Sequence, residues 1–297
     1  MKPSDLKVTH HFVDLPKVRM HYVECGEGPL TILLHGFPEN WWSWRYQLEP
    51  LSKAGLRVIA PDLRGYGETS REGPFDIDTL VGDICHLIEA LGERKARIVG
   101  HDWGGALAWH LASKRPDFCE RLTVLNCPHP VRMREALLQR PSWSQVKRSW
   151  YFFFFLLPAL PEWLLTKDDA GNTVRMLKGS SVHRDHFSAD ELTPFREAIQ
   201  RPGAAKAMVD WYRDIVWNGL THPFSPPVYD DIDAPTQLIW GMKDTALGYY
   251  DLVPGTEKYV RKLELEQIPD CGHFVQSERP ELVNPPLIRF LTRPATG

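Results

Sequence analysis

The chain has 297 residues and a formal net charge of −3. This length suits one large α/β domain or about two smaller domains, so no disulfide or metal scaffold is needed for a core. The 43% hydrophobic and 25% charged residues are typical of a globular protein. From the nearly balanced charge we expect neither a nucleic acid nor an anionic membrane as a partner.

The cysteines are odd in number and scattered, with no CxxC pair: Cys25, Cys85, Cys119, Cys127 and Cys271. This pattern indicates free thiols in a reducing compartment, not disulfides or a zinc site. Residues 1–7 lack the apolar region of a signal peptide. The longest apolar run, 150–157, is shorter than the roughly 20 residues of a membrane span. We therefore expect a cytoplasmic protein with no membrane span and no metal or other cofactor; the sequence leaves the oligomeric state open.

Short apolar runs alternate with helical patterns in the first part of the chain. The predicted strands are residues 30–34, 57–60, 96–99 and 122–125, and the predicted helices are residues 80–91 and 106–113. Such alternation is typical of βαβ units. It predicts an α/β fold with a mostly parallel sheet and helices on both of its faces.

The alternation stops at residue 128 and gives way to aromatic-rich helical stretches with several prolines. It resumes with a strand at 236–240, a helical stretch around 257–262, a strand near 263–268 and a last helix ending near 291. We predict a helical lid, residues 128–227, inserted between the two parts of one core, residues 1–127 and 228–297. In the last helix, Pro285 and Pro286 are predicted to break or delay helix formation.

The strongest local motif is Gly100-His101-Asp102-Trp103-Gly104-Gly105, at the junction of a predicted strand and helix. Glycines allow the strand and the helix to approach closely there, and the sharp turn would lift Asp102 out at the end of the sheet. The alternative is an ordinary glycine-rich turn in which Asp102 caps the helix.

Three other turns follow predicted strands. In His35-Gly36-Phe37-Pro38, backbone N–H groups could stabilise an oxyanion together with the N–H of Trp103. Asp244 and His273 each follow a late strand. Each turn alone could be only a solvated loop. Together, the chain order Asp102, Asp244, His273 at strand ends predicts a nucleophile, an acid and a histidine in one site.

These motifs resemble those of the α/β-hydrolases, in particular the epoxide hydrolase family and the catalytic domain of the soluble epoxide hydrolases. The resemblance runs from about Leu6 to Leu291. It implies an α/β-hydrolase fold and a cis peptide between Phe37 and Pro38. It also implies a nucleophile, a base, an orienting acid and two oxyanion-hole N–H groups, which fall on Asp102, His273, Asp244, Phe37 and Trp103 respectively.

An aspartate at this turn favours a different reaction from the one that a serine nucleophile would carry out. A carboxylate that attacked an ester would form an easily reversed anhydride, so Asp102 is better suited to displacing a leaving group from saturated carbon. The resulting alkyl ester would then be hydrolysed by water that His273 activates. The predicted function is hydrolysis of an epoxide to a vicinal diol.

An opening epoxide develops an alkoxide, and a tyrosine of the lid could donate the proton that it needs. Tyr151 and Tyr212 resemble the paired lid tyrosines of the family, although either could simply be a packed aromatic residue. The predicted substrate pocket is apolar, which favours lipophilic epoxides. It comprises Phe37, Pro38, Trp103, Phe152, Phe155 and Phe274.

Two other functions remain open. Haloalkane dehalogenases share the Asp-Trp pair, but they typically carry asparagine where Phe37 stands here; fluoroacetate dehalogenases carry arginines at the places of Trp103 and Ala106. Phe37 has no side-chain donor for a halide. The other alternative is a non-catalytic receptor for small molecules on a hydrolase fold.

Overall fold

A computed structural model describes residues 1–221 and 228–294. Within these residues, eight strands form one sheet in the order β1-β2-β4-β3-β5-β6-β7-β8. They are β1 (Thr9–Leu15), β2 (Val18–Cys25), β3 (Leu30–Leu34), β4 (Arg57–Pro61), β5 (Ala96–His101), β6 (Cys119–Leu125), β7 (Thr236–Gly241) and β8 (Leu263–Ile268). Strand β2 pairs antiparallel with β1 and β4, and all other pairs are parallel. The predicted α/β fold with a mostly parallel sheet is confirmed.

Twelve α-helices are described. They are α1 (Leu48–Lys53), α2 (Ile77–Ala90), α3 (Trp103–Lys114), α4 (Pro130–Arg134), α5 (Trp143–Arg148), α6 (Trp150–Phe155), α7 (Leu160–Gly179), α8 (Ala189–Gln200), α9 (Ala204–Thr221), α10 (Tyr249–Leu252), α11 (Val275–Glu278) and α12 (Pro280–Leu291). Helix α7 is interrupted at residues 167–170, where the backbone leaves the helical region.

Alternate residues of the central strands enter two separate apolar cores. On β3, Ile32 and Leu34 belong to the core that contains residues of α2 and α3, whereas Leu33 belongs to the core that contains residues of α1 and α12. Successive side chains of a strand point to opposite faces of the sheet. Helices therefore cover both faces, as the apolar runs of these strands predict.

Helices α4 to α9 lie between β6 and β7 in the chain. In the described ranges 126–221 and 228–235 this part contains helices and turns but no strand. The predicted division into a core and a lid stays a prediction, and its boundary at residue 227 lies outside the described residues.

The prediction of a helical stretch around 257–262 was wrong. The structure has only a 3₁₀ turn there, Thr256–Lys258, and Val260 then makes an isolated bridge with Ile232. The sequence interpretation also missed β1 and β2, which form an antiparallel hairpin at one edge of the sheet.

The last helix does not break at its prolines. Helix α12 continues through Pro285 and Pro286, although each proline lacks the N–H group that would donate one helical hydrogen bond. Glu281 and Leu282, one turn before the prolines, are exposed. The other face of α12 is buried in the core through Val283, Leu287, Phe290 and Leu291.

No helix within residues 1–221 or 228–294 is both long enough and apolar enough to cross a lipid bilayer.

Candidate active site

Asp102 lies on a sharp turn between β5 and α3. Its backbone has φ 49° and ψ −118°, outside the regions that residues with a side chain normally adopt. A Cβ on Gly100 would lie 2.3 Å from the carbonyl oxygen of Gly104, and one on Gly104 would lie 2.1 Å from that of Leu34. Only glycine permits this close approach of strand and helix, which holds the Asp102 carboxylate at the carboxyl end of the sheet.

The loop after β3 contacts the same carboxylate. The backbone N–H of Phe37 donates a 2.9 Å hydrogen bond to Oδ1 of Asp102, and the peptide between Phe37 and Pro38 is cis. Trp103 begins α3 directly after Asp102, so its N–H belongs to the first turn of that helix, where N–H groups lack helical acceptors. This arrangement brings the two predicted oxyanion-hole residues to Asp102.

His273 lies between two carboxylates. Its Nδ1 is 2.7 Å from Oδ2 of Asp244, and its Nε2 is 3.6 Å from Oδ2 of Asp102. Burial lowers the pKa of His273, but the charges and hydrogen bonds of Asp244 and Asp102 outweigh burial and hold it well above its usual value. These interactions favour a protonated ring between two ionised carboxylates.

The pKa values of the two carboxylates are lowered for related reasons. Burial raises the pKa of Asp102, but the hydrogen bond and charge of His273 and the N–H of Phe37 hold it below its usual value. Burial also raises the pKa of Asp244, and His273 outweighs this effect in the same way. Each ionised carboxylate thus stabilises the imidazolium form of His273, and the imidazolium stabilises the ionised form of each carboxylate.

Asp244 is fixed by a residue that the sequence interpretation missed. The side-chain amide of Asn126 donates a 2.8 Å hydrogen bond to Oδ2 of Asp244, and the N–H groups of Ala246 and Leu247 donate to Oδ1 at 2.8 and 2.9 Å. Asn126 directly follows β6, and a polar residue at the carboxyl end of a parallel strand was the signal that could have identified it.

A second missed element is a buried pair, Glu39 and His101. Oε2 of Glu39 lies 2.8 Å from Nδ1 of His101 and accepts a 3.0 Å hydrogen bond from the N–H of Gly36. On its other side, Nε2 of His101 lies 2.9 Å from the carbonyl oxygen of His273. The pair thus joins the loop after β3, the residue before Asp102 and the backbone of His273. In the sequence, Glu39 directly follows the His35-Gly36-Phe37-Pro38 turn and His101 directly precedes Asp102, and these positions could have identified the pair.

Tyr212 and Tyr151 lie in an aromatic cluster above Asp102. The ring of Tyr212 is 5.0 Å from that of Trp103, 5.2 Å from that of Phe37 and 6.0 Å from that of Tyr151, all edge-on. Burial and the negative charge of Asp102 raise the pKa of both tyrosines well above the usual value, which keeps the phenols protonated. For Tyr212, the Trp103 indole acts weakly in the opposite direction.

The predicted pocket residues divide into two groups. Phe152 and Phe155 contact the ring of Tyr212 at 5.5 and 4.6 Å, so they lie in the same cluster as Phe37 and Trp103. Phe274 does not join this cluster: its ring contacts His273 at 5.0 Å and otherwise packs in the second core, against His101 and Phe187. Pro38 is buried beside Phe37.

Within the described residues, no cluster of three or more His, Cys, Asp or Glu side chains could hold a metal ion. The site therefore offers a carboxylate, an imidazole, phenols and backbone N–H groups as its chemical groups.

Comparisons with known proteins match the fold of this chain. The α/β-hydrolase fold family matches residues 29–280. The chain is 38% identical to the AB hydrolase superfamily protein YfhM of Bacillus subtilis (strain 168), over 94% of this chain and 96% of that protein. It is 37% identical to epoxide hydrolase 3 of Xenopus tropicalis, over 92% of this chain and 75% of that protein.

Among solved structures, an epoxide hydrolase of Bacillus megaterium in complex with an inhibitor superimposes with a TM-score of 0.83 at 27% identity. The match covers 95% of this chain and 100% of that one. The chain therefore belongs to the α/β-hydrolase family, in the group that contains the epoxide hydrolases, and it is a hydrolase.

Proposed function

We propose that this hydrolase opens lipophilic epoxides to vicinal diols through a covalent ester on Asp102. The observation that carries the proposal is the pair of protonated phenols, Tyr151 and Tyr212, clustered beside an ionised aspartate at the strand-to-helix turn. Opening an epoxide needs a nucleophile that attacks a ring carbon and a proton donor for the ring oxygen that leaves.

In the first step, a carboxylate oxygen of Asp102 forms a bond to an epoxide carbon, and the carbon–oxygen bond of the ring breaks. The phenol of Tyr212, assisted by Tyr151, gives its proton to the alkoxide. The attack removes the charge of Asp102, which is one of the causes that raise the pKa values of both tyrosines. The phenols therefore become stronger acids as the alkoxide develops.

The same loss of charge prepares the second step. With Asp102 esterified, His273 loses one of the two carboxylates that hold its pKa high, and its proton restores the tyrosine phenol. Neutral His273 then takes a proton from water, and the hydroxide attacks the ester carbonyl. The N–H groups of Phe37 and Trp103 stabilise the oxyanion of the tetrahedral intermediate.

Collapse of that intermediate expels the diol alkoxide, which takes the proton from His273. The remaining carboxylic acid of Asp102 then returns its proton to His273 and restores the starting state. Asp244, held by Asn126, orients the imidazole and stabilises its charged form.

The pocket supports an apolar substrate. Aromatic surface around Tyr212 is supplied by Phe37, Trp103, Phe152 and Phe155. A lipophilic aryl or alkyl epoxide matches this lining better than a charged one.

The experiment is a panel of terminal, aryl and fatty epoxides beside 1-bromoalkanes, with diol and halide release both measured. We expect diol from at least one epoxide class and no halide from any bromoalkane. Halide release without diol would favour the dehalogenase alternative, and no product from any compound would favour the receptor alternative.

The location and the domain division are parts of the same proposal. All five cysteines are free thiols, which supports a cytoplasmic location. Helices α4 to α9 support a lid that begins near residue 128.

A further inference from the structure

An apolar surface covers the side of α6 and α7 that faces away from the core. It consists of Trp150, Phe153, Leu156, Leu157, Leu160 and Trp163, with exposed fractions of 63%, 72%, 36%, 44%, 41% and 53%. We call these six residues the apolar face. The link between the two helices, residues 156–159, is exposed at every position and contains no polar side chain.

The apolar face is held together from behind by one arginine of α9. The guanidinium of Arg213 donates to the carbonyl oxygens of Phe155 and Leu157, at 3.1 and 2.7 Å, and pairs with Glu162 at 2.6 Å. Glu162 is the only charged residue from Trp150 to Thr166. Its ion pair leaves the whole stretch without an uncompensated charge.

Helix α6 carries apolar side chains on both its inner and its outer side. Tyr151 and Phe155 contact Tyr212 in the candidate active site. Trp150 and Phe153, on the same helix, are exposed and take no part in that cluster. A helix that is apolar all round is normally buried in a core or in a membrane, and burial within the chain accounts for only one side of α6.

Basic residues flank the apolar face. Residues 140–167 contain four basic side chains and one acidic side chain, the paired Glu162. Arg140 and Lys147 are exposed before the face, and Lys167 is exposed after it. The two acids that follow are Asp168 and Asp169, and Asp169 pairs with Arg196.

We propose that the apolar face docks on the surface of a lipid bilayer with anionic headgroups and lies in its interface. Tryptophan and phenylalanine side chains with nearby lysine and arginine are the composition that binds a bilayer interface without crossing it. The flanking basic residues would meet the anionic headgroups. A second copy of the chain is the other candidate to cover the face, but a symmetric contact between two copies of this face would set the basic flanks against each other.

This surface departs from the expectation drawn from the net charge. The net charge averages over the whole chain, whereas exposed basic residues precede and follow the exposed apolar residues in this stretch of sequence. If the proposed epoxide activity holds, docking here would place the back of the active-site aromatic cluster next to the lipid, where a lipophilic epoxide accumulates.

The test is sedimentation of the full chain with vesicles of phosphatidylcholine alone and of phosphatidylcholine mixed with phosphatidylglycerol, without substrate. We expect the chain to bind the mixed vesicles more strongly than vesicles of pure phosphatidylcholine. Binding to the mixed vesicles should weaken as the salt concentration rises. Phe153→Ser removes a side chain that is 72% exposed. It should weaken binding about tenfold, the cost of withdrawing one phenylalanine from an apolar environment.

Phe12→Ser is the matched control, because Phe12 is a 44% exposed phenylalanine on β1. It should bind vesicles like the unaltered chain. Both variants should keep the unaltered rate on a water-soluble epoxide, so loss of docking is separable from failure of the proposed reaction. The proposal would be overturned if the unaltered chain bound neither type of vesicle. It would also be overturned if Phe153→Ser and Phe12→Ser bound the mixed vesicles equally well. A concentration-dependent dimer that Phe153→Ser abolishes would overturn it in favour of a second copy.

Discussion

The Nε2 atom of His273 lies 3.6 Å from Oδ2 of Asp102, while Nδ1 of the same ring is held by Asp244. The charges of these two carboxylates raise the pKa of His273 well above its usual value. In the reaction that we propose, esterification of Asp102 removes one of these charges, so we expect His273 to act as a base only after the nucleophile has reacted. The pKa of His273 therefore tests the proposed order of the two chemical steps.

Asp102→Asn should lower the pKa of His273, because the amide resembles the ester in carrying no charge. The measurement is an NMR titration of the imidazole in the variant and the unaltered chain. Asp168→Asn is the control, since Asp168 is an exposed aspartate of α7. An unchanged pKa in Asp102→Asn would show that Asp102 does not control the protonation of His273.

Tyr212→Phe should slow alkylation of Asp102 much more than ester hydrolysis, because the phenol proton is needed only as the ring opens. Tyr151→Phe should act in the same direction. Loss of one of two donors should cost about tenfold to hundredfold in the alkylation rate. Pre-steady-state kinetics would separate the steps, with Tyr250→Phe, at a tyrosine that is 81% exposed, as the control. Unchanged alkylation in both variants would make the tyrosines packing residues only.

His273→Gln should trap the intermediate. The variant retains Asp102 but lacks the base, so it should accept one equivalent of substrate and stop as a stable ester. Intact-protein mass spectrometry would detect the added mass. His11→Gln, on the surface strand β1, should turn over without an adduct. If His273→Gln kept its original mass with a substrate that the unaltered chain converts, His273 would not be the hydrolytic base.

A single turnover in heavy-oxygen water, with enzyme in excess, should give an almost unlabelled diol. The oxygen added to the first diol comes from the carboxylate, so the label should appear in the peptide that contains Asp102. A fully labelled diol with an unlabelled peptide would instead mean that Asp102 acts as a general base on water.

Glu39→Ala should destabilise the fold by about 1–3 kcal/mol, because it leaves the buried Nδ1 of His101 and N–H of Gly36 without their hydrogen-bond partner. Glu39 is 1% exposed and lies against His101 and the N–H of Gly36. Glu39→Gln keeps most of the shape and should cost less. Urea unfolding of both variants would measure the difference in the free energy of unfolding. If Glu39→Ala were as stable as the unaltered chain, the pair of Glu39 and His101 would not stabilise the fold.

The sequence by itself determined the elements whose signals are local. Short patterns predict strands β3 to β8 and place Asp102, Asp244 and His273 after strands. Parallel strands then bring those ends to one edge of the sheet. It could not identify β1 and β2, since a hairpin of mixed residues at a sheet edge carries only a weak alternating pattern.

The tertiary structure decided which distant residues meet. Glu39 reaches His101 across 62 positions and Asn126 reaches Asp244 across 118, and no local pattern encodes such contacts. The run from Trp150 to Leu157 is apolar throughout, so sequence alone could not separate Tyr151 and Phe155, which face Tyr212, from Phe153, which faces solvent. Only the packing of α6 against α9 divides the helix into an inner and an outer side, because burial depends on what lies opposite each side chain.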